Sequence, residues 1–414
     1  MENFDVLVVG GGAAGYFAAI TAAQTRPGCR VLLAERGAQP LSKVRISGGG
    51  RCNVTHACFE TRALSTRYPR GARALLSAFS RFQPSDTVQW FESRGVALKT
   101  EADGRMFPTT DRSESIIECL EREASASGVQ VRVRCGAEEL RASPDGSWEV
   151  LLSGPRGGTV RAGRVLIATG GWRDGTLASL LEKLGHEIIA PVPSLFTFHI
   201  NDGWVRELSG LAVAQAEVSI HGSALREKGP VLFTHWGLSG PAILRLSAWG
   251  ARELQERDYH FPLRVRWCGE RSEPQLLEMF QEMRLQHPGK AVTNTPLFAL
   301  PSRLWERLVA SAGIFGEERW NRLTKQAALG LADKLLRTEL QVTGKSMHKD
   351  EFVTCGGVSL KQVDFKTMES RVCPGLHFAG EVLDLDGITG GFNFQAAWTT
   401  GWLAGQAMAR GTAS

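Results

Sequence analysis

The chain has 414 residues, 43% of them hydrophobic, with 48 basic and 43 acidic side chains and a formal charge of +5. It is long enough for two domains or one domain with an insertion, and its composition excludes a disordered or fibrous protein. The charge surplus suits an anionic ligand but is too small to argue for nucleic acid, and no apolar stretch approaches the roughly 18 residues of a membrane span.

The eight cysteines, Cys29, Cys52, Cys58, Cys119, Cys135, Cys268, Cys355 and Cys373, include no CxxC pair, a pattern that fits reduced thiols. The first strand begins within a few residues of Met1 and no basic segment precedes it. No secretory signal or membrane association is therefore expected, and the expected compartment is the cytoplasm.

Asp5–Val9 reads as a buried strand that runs into Gly10-x-Gly12-x-x-Gly15 and then a helical segment rich in alanine (Ala14, Ala18, Ala19, Ala22, Ala23). Gly10 permits the turn, Gly12 lets a pyrophosphate approach the backbone, and Gly15 lets helix and strand pack closely. The N–H groups at Ala13 and Ala14 open the helix and face the phosphates. A second strand, 30–34, ends in Glu35, twenty residues after Gly15, whose carboxylate is expected to accept both ribose hydroxyls, with Arg36 beside it. Strand, glycine turn, helix and acid in this order indicate a dinucleotide site.

The next stretch holds Lys43, Arg45, Ser47, Gly48, Gly49, Gly50, Arg51, Cys52 and Asn53. Three consecutive glycines favour neither helix nor strand. The expectation is a loop that closes over the diphosphate with its N–H groups and brings Cys52 and Asn53 toward the reactive end of the cofactor. Cys52, His56 and Cys58 lack a fourth partner at metal-ligand spacing, so no metal is expected. Five arginines between Arg62 and Arg81, with no acid, read as a solvated face, or alternatively as a site for an anionic ligand.

The spacing predicts an amphipathic helix over 113–127 and a strand over 129–133, with a backbone contact to adenine near Ala137. Another buried strand, 164–168, ends in Thr169-Gly170-Gly171, where small side chains let the chain cross the cofactor. From Pro191 strands dominate, then helical stripes. The expected organisation is a first part of a cofactor domain (1–190), a strand-rich insertion (191–270), its helical part (271–345), and a return to the first domain (346–414). Within the insertion, His235 and Ser239 lie in a run of small and polar residues that either faces an active site or serves structure.

After the return come Cys355, then Gly380-Glu381, Asp384 and Asp386, and Gly390-Gly391-Phe392-Asn393 opening a final helix. Backbone N–H groups at Gly390 and Gly391 can meet the pyrimidine edge of a flavin. The positive helix end would stabilise the charge that builds at N1 and the C2 carbonyl on reduction. A nicotinamide enzyme has no use for this element.

These segments together, above all Ser47–Asn53 and Ala379–Asn393, resemble the BaiN-like family of bacterial FAD-dependent oxidoreductases, also described as aminoacetone-oxidase-type flavoproteins. The resemblance spans nearly the whole chain. It implies an α/β, Rossmann-like FAD-binding domain of the two-dinucleotide-binding-domain flavoprotein type, with an inserted β-barrel plus small helical domain. It also implies non-covalent FAD and reduction of carbon–carbon double bonds conjugated to a ketone in steroid-like acids, with NADH or NADPH as donor. After Gly171 the chain departs from the family: Trp172–Gly175 is short where relatives carry a longer segment.

Hydride transfer through flavin N5 to such a double bond calls for a proton donor, and with only three tyrosines (Tyr16, Tyr68, Tyr259) the candidates are His235, Cys52 and Cys355. The expected partner is a small-molecule substrate. Alternatives are an oxygen-using amine or hydroxy-acid oxidase, a flavin-containing RNA-modifying protein, and a redox sensor.

Overall fold

In a computed structural model of the chain, residues 1–172, 175–346 and 353–411 are described. The chain divides into two compact units, 1–193 together with 349–414, and 194–348.

The first unit is built on a sheet ordered Val363–Asp364, Glu369–Ser370, Leu376–Phe378, Gly158–Ile167, Glu2–Val9, Val31–Ala34, Gln130–Arg132. The last five of these run parallel. Parallel strands are covered on both faces, which explains why Val6, Leu7, Val8, Leu32, Leu33, Val165, Leu166 and Ile167 form unbroken apolar runs and are all buried. Register aligns Val9 with Ala34 on one side and Ile167 on the other, and Ile167 with Phe378. The strand ends therefore make one edge. Ala137–Ala142 and Trp148–Leu152 form an antiparallel meander that joins Gly158–Ile167.

The first helix, Ala13–Thr25, packs on the final helix, Phe392–Arg410, almost backbone to backbone. A Cβ on Gly401 would lie 2.5 Å from the Ala14 carbonyl oxygen, and one on Gly405 2.5 Å from that of Ala18. The pairing 14 with 401 and 18 with 405 makes the helices parallel. Buried polar groups of the final helix are satisfied: Gln395 Oε1 accepts from Thr55 (2.6 Å) and Thr87 (2.9 Å), its Nε2 donates to Thr399 (3.1 Å), and the Thr399 hydroxyl donates to the Phe82 carbonyl.

The second unit contains a closed barrel of six antiparallel strands, in the order Thr197–Ile200, Gly237–Ser239, Arg226–Thr234, Ala212–Ile220, His260–Arg266, Thr338–Ser346. Alternate residues such as Phe198, Val218, Phe261, Leu263 and Val342 fill it. The same apolar core continues into the helices Glu273–Gln286, Ser302–Ser311 and Lys325–Arg337 through Leu276, Phe280, Trp305, Leu308 and Leu331, and takes in Trp320 from the short turn Trp320–Arg322. The barrel with its helical part agrees with the fold class expected from the sequence. Among the described residues no helix is long and apolar enough to cross a membrane.

Trp305 is fully buried and its indole N–H donates to the Val292 carbonyl at 2.7 Å. Trp305→Ala is expected to cost about 3–5 kcal/mol, read as a shift of the urea midpoint of the second unit. His377, 2% exposed, faces the Thr367 carbonyl through Nδ1 at 3.1 Å, and burial pushes its pKa down from 6.5 to about 4. The unfolded chain then binds the proton more readily than the folded one. The resulting stability is complete above pH 6.5 and is lost as pH falls toward about 4. Urea titrations across that window should show a shallower acid-side slope for His377→Gln.

Candidate active site

The aligned strand ends, the first helix and the final helix enclose a cavity of about 670 Å³ in the first unit. Its position at the carboxyl ends of parallel strands is where such sheets bind nucleotides. Gly10, Gly12, Ala13, Ala14, Glu35, Arg36, Lys43, Ser47, Gly48, Ala137, Thr169, Gly170, Gly171, Gly380, Glu381 and Asn393, all expected at the cofactor, line it.

The glycine turn fits a dinucleotide for identifiable reasons. A Cβ on Gly10 would stand 2.4 Å from the Ala168 carbonyl oxygen, and one on Gly15 1.9 Å from that of Gly10, so neither position tolerates a side chain. At Gly12 a Cβ would meet nothing within 4 Å, which leaves open space beside the N–H groups that start the first helix, room enough for an anionic group to approach them. Glu35 bridges the turn, accepting from Gly11 N–H at 2.7 Å and Gly37 N–H at 2.6 Å, which fixes its carboxylate at the end of its strand in the cavity lining.

On the opposite wall Glu381 accepts from Lys43 Nζ at 2.6 Å and from Thr354 N–H at 2.8 Å. Gly171 passes so close that a Cβ would lie 2.4 Å from Thr354 Oγ1 and 2.7 Å from Glu381 Oε1. Two buried polar atoms here have no protein partner, Trp172 Nε1 and Thr354 Oγ1; Trp172 itself lines the cavity. The final helix presents Asn393, Phe394 and Ala397 to the cavity, so its positive end faces the interior.

The remaining expected residues lie elsewhere. The Ser42–Gly50 segment begins as a helical turn and leaves helical geometry at Ser47, after which Gly48, Gly49 and Gly50 take φ of +59°, +69° and +83°. Left-handed backbone at three successive residues is what the glycines permit, but Gly49 and Gly50 stay outside the cavity lining. Cys52 also has positive φ (+60°), is fully buried, and burial pushes its thiol up to about 12. Arg51 turns to Glu101 (2.7 Å) and lies over the Phe107 ring, 4.0 Å from its centroid.

Asn53, its amide oriented by its neighbours, donates to the Thr55 carbonyl at 3.0 Å and accepts from Gly391 N–H at 2.9 Å. Gly391 N–H is thereby engaged within the protein. The Gly390 carbonyl faces His56 Nδ1 at 3.0 Å, and Phe392 stacks on the His56 ring; none of these three lines the cavity. Asp386 is fully buried and held by both ends of the Arg70 guanidinium, which withdraws one arginine of the 62–81 run from solvent. Cys355 is fully buried and absent from the lining; His235 is exposed at the tip of a hairpin in the second unit.

Sequence reasoning passed over Gly11, Gly37, Leu41, Trp172, Leu177, Val353 and Phe394, all in the lining. For Gly37 a signal exists: a glycine two residues after the ribose acid frees an N–H to hold that carboxylate. Among the described residues no group of three or more His, Cys, Asp or Glu is placed to hold a metal ion.

A parallel sheet with this glycine turn, ribose acid and second helix end at one cavity defines an FAD-dependent oxidoreductase. The chain belongs to the family described as HI0933-like protein Rossmann domain, whose profile matches residues 4–407, in agreement with the BaiN-like resemblance.

It is 32% identical over 417 residues to the ribosomal RNA dihydrouridine synthase of Escherichia coli, covering 98% of both chains. It is 28% identical to the 3-dehydro-bile acid delta(4,6)-reductase of Clostridium scindens, covering 97% of this chain and 98% of that one. Among solved structures its fold is similar to a flavocytochrome c3 fumarate reductase (TM-score 0.55, 19% identity, 100% of this chain and 79% of that one). It is also similar to the 3-ketosteroid-delta4-(5alpha)-dehydrogenase of Rhodococcus jostii (TM-score 0.53, 15% identity, 99% and 97%).

Because its Cβ would collide with backbone, Gly15→Ala should lower the flavin-to-protein ratio of purified protein by on the order of tenfold or more, measured by visible absorbance. Wild-type flavin content in this variant, with normal folding, would overturn the tight-turn account.

Proposed function

We propose that the protein catalyses NAD(P)H-driven reduction of a carbon–carbon double bond conjugated to a carbonyl, and that the acceptor is the uracil ring of a uridine in ribosomal RNA. The C5–C6 double bond of uracil is conjugated to the C4 carbonyl, the same electrophile that a 3-keto steroid with a neighbouring double bond presents. The carrying observation is the 32% identity, across 98% of both chains, to an RNA dihydrouridine synthase. The bile-acid reductase, at 28%, belongs to the same reaction class. The modest charge surplus had set nucleic acid aside, yet Arg62, Arg67, Arg73 and Arg81 are exposed and available to phosphates.

Bound FAD supplies hydride transfer at N5 once it has been reduced. The chain's part is to hold, orient and shield. Glu35, fixed by Gly11 and Gly37, orients the ribose, and the N–H groups after Gly12 take the diphosphate. The final helix directs its positive end at the region where negative charge develops. Trp172 and Leu177 cover part of the cavity. Reduction leaves a carbanion conjugated with the carbonyl, which requires a proton. Of the three donors considered, Cys52 and Cys355 are fully buried, and His235 is exposed.

The test is anaerobic. NADH or NADPH should bleach the flavin, and ribosomal RNA from a strain lacking the gene should reoxidise it and gain two hydrogens at a uridine, detected by mass spectrometry. Reoxidation by a conjugated ketosteroid but not by RNA would sink the RNA reading, and a flavin that neither nucleotide reduces would sink the reductase reading.

A further inference from the structure

On the first unit, where the final helix ends, lies a second cavity of about 220 Å³. Arg81, Arg164, Lys366 and Arg410 line it, and Glu369 is the single carboxylate among the described lining residues. Four cations less one carboxylate leave a local formal charge of +3.

Elsewhere guanidinium groups meet carboxylates, as in Arg51 with Glu101, Arg94 with Glu123 and Arg132 with Glu2. Among the described residues none of these four cations forms an ion pair. Arg164 donates to the Gly163 and Gly411 carbonyls (2.7 and 2.8 Å), Arg81 to the Lys366 carbonyl, and Arg410 to Gln406 Oε1 (3.0 Å). Capping the helix accounts for Arg164. It does not account for Arg81 and Lys366, which arrive from separate segments. Each guanidinium has five N–H donors, so most remain available. Gathering four like charges around a single carboxylate costs free energy that a bound anion would offset.

One further group points to the kind of anion. His377 lines the cavity, and its burial keeps the imidazole neutral. With Nδ1–H given to the Thr367 carbonyl, the lone pair falls on Nε2, which is buried and has no partner. An anion that carries its own hydroxyl would meet both needs. Hydrogen phosphate, a phosphate monoester and the ribose-phosphate unit of RNA are of this kind.

We propose that this cavity is a binding site for a phosphate group, held by Arg81, Arg164, Lys366 and Arg410. Along the final helix the cofactor cavity is lined as far as Ala397 and this cavity begins at Leu403, with no lining residue shared, so at 1.5 Å per residue the nearest lining residues stand about 9 Å apart along the axis. It is therefore distinct from the diphosphate site. It also stands independently of the substrate proposed above, since a free phosphate group or an RNA backbone could each supply the ligand.

The experiment uses the FAD-loaded protein, so that the cofactor's own phosphate site is filled. Inorganic phosphate is titrated calorimetrically at constant ionic strength with chloride as the balancing anion, against wild type and Lys366→Gln/Arg410→Gln. The wild type should bind one phosphate saturably, and the double variant at least tenfold more weakly, with flavin content and melting temperature without phosphate unchanged. Arg81→Gln, a second variant on a different segment, should weaken binding in the same direction. Absence of saturable binding beyond chloride, or equal affinity in all three proteins, would overturn the site. A hairpin RNA without terminal phosphates then identifies the source. Displacement of phosphate by this RNA, with weaker RNA binding in the double variant, supports the site with the backbone as ligand. Unchanged RNA binding alongside lost phosphate binding supports it with a free phosphate group.

Discussion

The close approach of two helices is the constraint on which the site depends. Ala14 and Ala18 of the first helix lie against Gly401 and Gly405 of the last, with no room for a Cβ at either glycine. Such contact between backbones holds the helices in fixed axial register. Gly401 sits nine residues after the final helix begins, whereas Ala14 is at the start of its own. At 1.5 Å per residue the final helix therefore extends about 12 Å beyond the first. One cavity thus receives two positive helix ends at different depths. The nearer end suits the diphosphate and the farther one the ring system beyond the ribityl chain, which is the separation a flavin nucleotide requires and a single helix cannot provide.

The same constraint explains how much of the site was legible in the sequence. The glycine turn and Glu35 are legible because each departure from ordinary strand or helix chemistry there has a local cause, a turn, an open backbone or an acid at a strand end. The small residues after Ile167 and Phe378 are legible for the same reason. Gly401-x-x-x-Gly405 was not read, although small residues four apart mark a face for close helix packing, because the partner stripe lies almost 400 positions away. The barrel was expected only through the family resemblance, since alternation alone indicates strands and not their closure. Helix periodicity over 113–127 needed no partner to be seen, and the helix Glu114–Ala126 stands there.

Where the expectations and the structure diverge, a polar residue next to the cavity in sequence turns out to brace the loop that forms it. Asp386, Asn53 and Arg51 are of this kind. Asp386 is buried with Arg70 across two segments, and such a bidentate pair is worth more as a geometric clamp than as net stability. Asn53 ties the glycine segment to Gly391 at the head of the final helix. Arg51 fastens its other side to Glu101. A sequence shows that such residues are polar and flank glycines. Whether they face the ligand or the scaffold is decided by side-chain direction, and in a left-handed stretch such as Gly48–Gly50 that direction reverses within a residue or two.

The acceptor chemistry follows from the same division of labour. The described lining of the cofactor cavity carries the groups proposed to hold a nucleotide, Glu35 and the N–H groups after Gly12, and the final helix directs its positive end into it. A family with this cavity can exchange acceptors without altering its reductive half, provided each acceptor offers a carbon made electrophilic by a conjugated carbonyl. That is why two whole-chain relatives can bear names as different as an RNA dihydrouridine synthase and a bile-acid reductase. On the proposed reading, discrimination between them comes from surface outside the cavity. For a polyanion that means charge displayed over distances much longer than a ring, and Arg62, Arg67, Arg73 and Arg81 lie exposed outside the cavity. A bile acid, compact and largely apolar, would gain little from any of them.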